Sequence, residues 1–193
     1  MLFSPLCSGS SGNASYLEAD GVRLLVDAGV TAKRVEELLD LIEVPAPSIG
    51  AILVTHEHSD HIAGVGVLSR RYDLPVYADA ECWQSMRPLL GDIAQKNVRV
   101  FEPDRDFYLR GLCVHPFSTP HDSAHPVGYT FCQNGRKLSV MTDIGHVSGR
   151  MLDAVANSDL LLLEANHDVD MLKAGSYPYP LKMRILSARG HLC

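Results

Sequence analysis

No stretch of this sequence is apolar for long enough to span a bilayer. The longest such run, Leu160-Leu161-Leu162-Leu163, falls far short of the roughly 20 residues required. The opening Met1-Leu2-Phe3-Ser4-Pro5 lacks the basic region and long apolar region of a secretory signal, so a cytoplasmic protein is expected. Cysteine is present five times, but the number is odd, the spacings are wide and no CxxC pair occurs. That argues against a disulfide framework or a cysteine-built zinc site and for free thiols in a reducing compartment. Positive charge is in deficit, with 17 Lys and Arg against 23 Asp and Glu for a net charge of −6. This speaks against a surface coated for nucleic acid, although metal ions can themselves supply the positive charge that a phosphate needs. Aromatic residues make up 7%, and no aromatic-and-basic strip for stacking bases is visible. There is no internal repeat, low-complexity tract or linker, and residues 1–193 are expected to form a single domain.

What is present is an orderly alternation of elements. Leu2 to Leu6 is a candidate strand, and Ser8-Gly9-Ser10-Ser11-Gly12-Asn13 is a tight Gly/Ser/Asn turn. Ser15–Glu18 and Val22–Val26 read as a hairpin around Asp20-Gly21. Val35, Leu38, Leu39 and Ile42 recur at helical spacing, which predicts a helix over Thr31–Ile42 with Thr31 as its N-cap. Ala51–Val54 is a short apolar run of buried-strand type, and Ile62–Arg71 reads as the helix after it. Further strands are expected at 75–78, 98–101, 107–109 and 112–117. A hairpin joins 127–133 to 137–141 around Asn134-Gly135, and Leu160–Glu164 is expected to be a buried strand. Helices are expected at 80–89 and 148–156. Strands first, then strands interleaved with helices, suggest two sheets with helices outside them.

The chemistry lies between two of these elements. Thr55-His56-Glu57-His58-Ser59-Asp60-His61 places three histidines and an aspartate within six residues, directly after a buried strand. Imidazole nitrogen and carboxylate oxygen are the donors that borderline divalent metals take. His56 and His58, two apart, can turn toward one ion from an extended loop, while Asp60 and His61 enter the next helix and can face a second. A metal lowers the pKa of bound water to about 7, and a pair of ions can clamp both oxygens of a phosphoryl transfer.

HxHxDH is also the signature of the metallo-β-lactamase superfamily, and the chain resembles that family in context as well as in the motif. Asp27-Ala28-Gly29 is similar to the turn that precedes the family's metal loop. His121 in Ser118-Thr119-Pro120-His121-Asp122 resembles the third histidine of its first metal site, and Asp143 in Met141-Thr142-Asp143-Ile144-Gly145 its bridging carboxylate. The resemblance implies an α/β fold, an αββα sandwich of two mixed sheets with helices on the outer faces. It also implies two divalent ions, zinc or manganese with iron also suited. His56, His58 and His121 would hold the first ion, Asp60 and His61 the second, and Asp143 would bridge. Asp60 would additionally orient the hydroxide, and Asp122 would anchor a ligand histidine.

Over nearly the whole chain the match is to the YycJ/WalJ group of bacterial metallo-hydrolases. It is carried by Cys7 to Tyr16, by Pro126-Val127-Gly128-Tyr129, by Glu164-Ala165-Asn166-His167-Asp168 and by Arg189-Gly190-His191-Leu192. That group implies a phosphodiesterase acting on DNA as a 5′-to-3′ exonuclease. The alternatives are a small-molecule phosphodiesterase, a thioester or lactone hydrolase, or a metal-binding protein impaired by truncation. Ser10, Ser11 and Asn13 are candidate phosphate contacts, since their turn offers backbone N–H groups and hydroxyls, and a plain tight turn is the competing reading. His167 is a candidate proton donor or phosphate contact. Lys182, Arg184 and Arg189 could meet a nucleic-acid backbone. His115, His125 and His146 are expected outside the ligand set. Family members continue past Cys193 and supply a last metal-binding histidine from a later Ala-His-Leu segment, whereas His191 matches an earlier Gly-His-Leu. A second ion short of one ligand and an exposed apolar edge are therefore expected. The oligomeric state is open.

Overall fold

The computed structural model describes all of residues 1–193 as two mixed β-sheets with helices on their outer faces. The first sheet runs β1 (Leu2–Cys7), β2 (Ala14–Ala19), β3 (Val22–Val26), β4 (Ala51–Leu53), β5 (Val76–Ala78) and β6 (Val98–Val100) in spatial as well as chain order. The pairs among β1, β2 and β3 are antiparallel and those from β3 to β6 parallel. Antiparallel neighbours are joined by hairpins, whereas each parallel step crosses over through a helix. These are α1 (Ala32–Leu41) between β3 and β4, α2 (Ser59–Ile62) with α3 (Val65–Tyr72) before β5, and α4 (Ala80–Leu90) before β6.

Alternation along the strands divides the core into layers. Tyr16, Leu25 and Ile52 point to one face, where they pack with Val35, Leu39, Val65, Leu68 and Met86 of the helices. Leu17, Leu24, Val26 and Leu53 point to the other face, against Val114, Tyr129, Phe131 and Val140 of the second sheet. Strands covered on both sides read as nearly continuous apolar runs, which is why 51–54 stands out in the sequence. Thr31 caps α1 as expected, its Oγ1 accepting from the Arg34 N–H at 3.3 Å.

The second sheet is ordered β11 (Leu160–Leu163), β10 (Arg136–Met141), β9 (Val127–Gln133), β8 (Leu112–Ser118), β7 (Phe107–Leu109). Only the β10–β11 pair is parallel, reached through α5 (Gly149–Val155), whose Met151 packs on Phe117 and Met141. Both hairpin turns occupy positive φ at their two central residues, 48° and 76° at Asp20-Gly21 and 51° and 72° at Asn134-Gly135, as two-residue hairpins of primed type require.

Three expectations are corrected. The helix expected over Ile62–Arg71 is broken at Ala63-Gly64 into α2 and α3, because the Gly64 N–H turns to the Ala28 carbonyl at 2.8 Å. The strand 160–163 is not buried: it is the sheet's outermost strand, and Leu160, Leu161 and Leu163 are 42%, 40% and 47% exposed. Two short helices, α6 (Val169–Ala174) and α7 (Tyr179–Ile185), lie where no element was assigned. No helix is long and apolar enough to cross a membrane.

Candidate metal centre

The loop after β4 hangs between the two sheets. Tyr129 of the second sheet, fully buried, donates its hydroxyl to the Val54 carbonyl at 2.6 Å, and the Val127 N–H donates to the Thr55 carbonyl at 3.0 Å. The segment that follows collects five imidazoles. Ring centroids lie 4.6 Å apart for His56–His58, 4.0 Å for His56–His61, 5.0 Å for His56–His121 and 5.0 Å for His121–His191. His56 Nε2 and His58 Nδ1 face each other at 3.1 Å. Burial pushes the His56 imidazole well below its ordinary pKa, and the surrounding histidines push the same way. A neutral ring with its lone pair turned into a nest of other nitrogens is the protonation state a cation ligand needs.

Three donor groups result, each with its ligand atoms within 4.8 Å of one another: His56, His58 and His121; His56, His61 and Asp143; and His121, Asp143 and His191. The donors are nitrogen and carboxylate oxygen throughout, which fits a divalent cation such as zinc, manganese or iron. The first group is the set inferred for the first ion. Asp143 joins two groups, as a bridging carboxylate would. Asp60 stands at the rim, with Oδ2 3.9 Å from His61 Nε2, and belongs to none of the three. His191, expected to match a Gly-His-Leu segment outside the ligand set, stands beside Asp143, with Nδ1 3.5 Å from its Oδ1.

Asp27 fixes the loop. Its carboxylate accepts from the Thr55 N–H at 2.8 Å, the Thr55 hydroxyl at 2.8 Å and His61 Nδ1 at 2.8 Å. With Nδ1 engaged, His61 presents Nε2 to the site, 3.3 Å from Asp143 Oδ2. Burial alone would lower the His61 pKa, but the carboxylates of Asp27, Asp143 and Asp60 outweigh it and raise it to about 9. The Asp143 carboxyl is itself raised by burial, against the pull of His61. Asp27 and Asp143 both sit in the left-handed region, at φ 61° and 53°, which costs an L-residue on the order of 1 kcal/mol or more.

The Ser8–Asn13 turn grips the same loop from the other side. The Asn13 N–H donates to the Asp60 carbonyl at 2.8 Å, its side-chain amide faces His61 Nε2 at 3.1 Å, and the Gly29 N–H donates to the Asn13 carbonyl at 2.7 Å. A Cβ on Gly29 would fall 1.6 Å from the Asp60 carbonyl oxygen, so glycine is required there. Asn13 is thus occupied internally, and Ser11 lies outside the cleft lining; of the three expected substrate contacts, Ser10 alone faces the cleft.

The C-terminal segment closes the site. His121 donates Nδ1–H to the Gly190 carbonyl at 3.1 Å, leaving Nε2 with its lone pair. Glu164 receives His191 Nδ1 at 2.6 Å on Oε1 and the N–H groups of Ile144, at 3.0 Å, and Leu192, at 3.3 Å, on Oε2. This hydrogen bond raises His191 above the ordinary imidazole range against the effect of burial. Burial raises Glu164, but His191 and the backbone donors bring it below its ordinary value. Asp122 lies 3.4 Å from His121 Nε2 and is paired with Arg184.

The other two basic residues are spent on the fold. Arg189 donates to the carbonyls of His121 and Ser123, and Lys182 to those of Lys173 and Gly175. His115, His125 and His146 lie outside the donor groups, bonded to Asp106, Ser118 and the Ala188 carbonyl. Asp27 and Glu164, which the sequence reading gave no role in the site, prove to be the carboxylates that orient two of its histidines.

Beside the cluster opens a cavity of about 800 Å³, lined by His58, Asp60, His121, Asp143 and His191 and, from the last two helices and the loop between them, by Met171, Tyr177 and Arg184. His167 forms part of this wall, but both its ring nitrogens are covered and lack partners.

A family model described as a beta-lactamase superfamily domain matches residues 22–190. The exodeoxyribonuclease YycJ of Bacillus anthracis is 45% identical over 191 residues, which is 99% of this chain and 72% of that protein. The exodeoxyribonuclease WalJ of Streptococcus pneumoniae is 44% identical over 192 residues, 98% of this chain and 71% of its own length. Among solved structures, zinc-bound PqqB from Methylobacterium extorquens superposes with a TM-score of 0.71 at 21% identity, covering 86% of this chain and 64% of PqqB. The metallo-beta-lactamase fold protein YhfI from Bacillus subtilis gives 0.67 at 18% identity, covering 82% and 69%.

Proposed function

The chain belongs to the metallo-β-lactamase superfamily, and from that premise we propose that it is a metal-dependent phosphodiesterase that degrades DNA as a 5′-to-3′ exonuclease. The observation that carries this reading is the set of overlapping donor groups at the mouth of a cavity large enough for a nucleotide. The names of two relatives that are 44–45% identical add the nucleic-acid substrate.

His56, His58 and His121 would hold one cation. His61 and Asp143, with Asp60 at the rim, would hold a second, and zinc and manganese both suit these donors. Bound there, the cations supply Lewis acidity and make hydroxide available near neutral pH. Asp60 accepts a proton from the attacking water and aims it from the cleft side. His191, whose Nδ1 faces Glu164 Oε1 at 2.6 Å, would be the proton donor to the leaving oxygen through its other nitrogen. His167 serves as a phosphate contact once its ring turns. Two covered, unpaired nitrogens cost roughly 1–3 kcal/mol each, and a substrate oxygen relieves one of them. Ser10 lies where a phosphate oxygen can reach its hydroxyl.

The test is incubation of the metal-loaded protein with 5′-phosphorylated DNA. Progressive shortening from the 5′ end is expected with zinc or manganese, with loss of activity in EDTA and in Asp60→Ala. Intact DNA, together with turnover of a cyclic dinucleotide or an acyl-glutathione ester, would replace this reading with another hydrolase of the superfamily. Metal counting on His191→Ala separates two roles for that residue. Turnover should fall with the metal count unchanged; a lost ion would make His191 a ligand instead of a proton donor.

A further inference from the structure

The cavity beside the metal centre has two kinds of lining. One is made of imidazoles and carboxylates, the chemistry of the phosphodiester. The other comes from α6, the loop after it and α7, and is mostly apolar: Met171, Leu172, Tyr177, Leu181 and Ile185, with Arg184 and Ser176 among them. Metal-assisted phosphate chemistry has no need of such a wall. In a chain with only 7% aromatic residues, Tyr177 stands in it 55% exposed, and Met171 is 75% exposed.

The wall is also held in place. Lys182 of α7 donates to the carbonyls of Lys173 and Gly175, at 2.7 Å each, and so ties the end of α6 to α7 across the loop that carries Tyr177. Pro178 follows Tyr177 and precedes the first turn of α7. Arg184, one turn further along, pairs with Asp122 beside His121 and His58. These contacts fix the backbone segment that carries Tyr177 relative to the donor cluster. A preorganised platform loses little entropy when a planar ligand settles on it.

We infer that the Tyr177 wall is the seat of the terminal nucleobase, which stacks on the tyrosine ring while its phosphodiester lies at the metal centre. The inference rests on the nuclease reading above and narrows it to DNA ends whose last base is free to leave its partner. Every base has a π-face, so stacking accepts all four, and no sequence preference is expected.

The test compares two 5′-phosphorylated oligonucleotides that differ only at the terminal residue, one with its natural base and one abasic. The wild-type protein should favour the natural end in kcat/KM by roughly tenfold, within the range of one base stacked on one aromatic side chain. The difference should fall on KM. In Tyr177→Ala the ratio should drop to about one, and in Tyr177→Phe, which keeps the ring, it should persist. Met171→Ala provides a second variant of the same wall and should lower the ratio partway.

A ratio preserved in Tyr177→Ala, or a wild-type ratio of one, would overturn the inference while leaving the nuclease reading intact. Absence of cleavage of either oligonucleotide would overturn both. If Tyr177→Ala instead changes the sedimentation behaviour of the protein and not the ratio, the wall is a contact between copies of the chain and the inference is overturned.

Discussion

Asp27 shows how much one carboxylate can organise. It meets the backbone and hydroxyl of Thr55 and the ring of His61, all at 2.8 Å, from a left-handed backbone position. Removing it frees the His61 ring and leaves the buried Thr55 N–H without its acceptor. Partners that orient a ligand histidine typically contribute 10–100-fold to metal affinity. Asp27→Ala is therefore expected to weaken metal binding by about that factor, measured by competition with a chromophoric chelator. Undiminished affinity would show that the loop holds His61 without help. The sequence identified Asp27 as a landmark and no more, because 34 residues separate it from His61 and spacing carries no information about contacts at that range. His56, His58 and His61 were legible for the opposite reason: they share one loop, and the strand before it is an unbroken apolar run.

At the scale of elements, the first sheet was readable because its strands and helices are locally consistent. Alternate residues of β2, β3 and β4 serve different layers, and α1 carries its own cap. Helices α6 and α7 were not readable. They span six and seven residues, α7 has no buried residue, and their start signals, Asp168 as a cap and Pro178 with Pro180, are also loop residues. The leucine strand misled for a related reason. A continuous apolar run resembles a strand covered on both faces, and β11 is an edge strand with an unpaired outer side. Within it, Leu162 alone packs against the inter-sheet core, while Leu161 is 40% exposed. Leu161→Lys should therefore change stability by no more than about 0.5 kcal/mol, the usual range for an exposed site. Leu162→Ala should cost about 1–2 kcal/mol, less than the loss at a fully buried leucine. Urea denaturation of the two variants decides, and equal losses would mean that β11 is covered in solution.

For the molecule as a whole, the metal centre is where the layers meet. The donors arise from the loop after β4, from the segments after β8 and β10, and from the C-terminal segment that bonds back to His121 and Glu164. Elements from both sheets therefore have to be in place before the complete donor groups exist, and an unfolded chain offers a cation the His56–His61 stretch without His121, Asp143 or His191 beside it. A ligand that binds the native state alone stabilises it by RT ln(1 + [L]/Kd), about 2.7 kcal/mol at a hundredfold excess over Kd. In a domain of 150–250 residues each kcal/mol moves Tm by roughly 2–4 °C. Zinc at that excess is thus expected to raise Tm by about 5–10 °C over the EDTA-treated protein in a thermal melt. The shift should shrink in His56→Ala, whose ring belongs to two of the three donor groups. A melting curve indifferent to EDTA would mean that the imidazoles pack stably without a cation, and that the centre does not link its metal to the two-sheet fold.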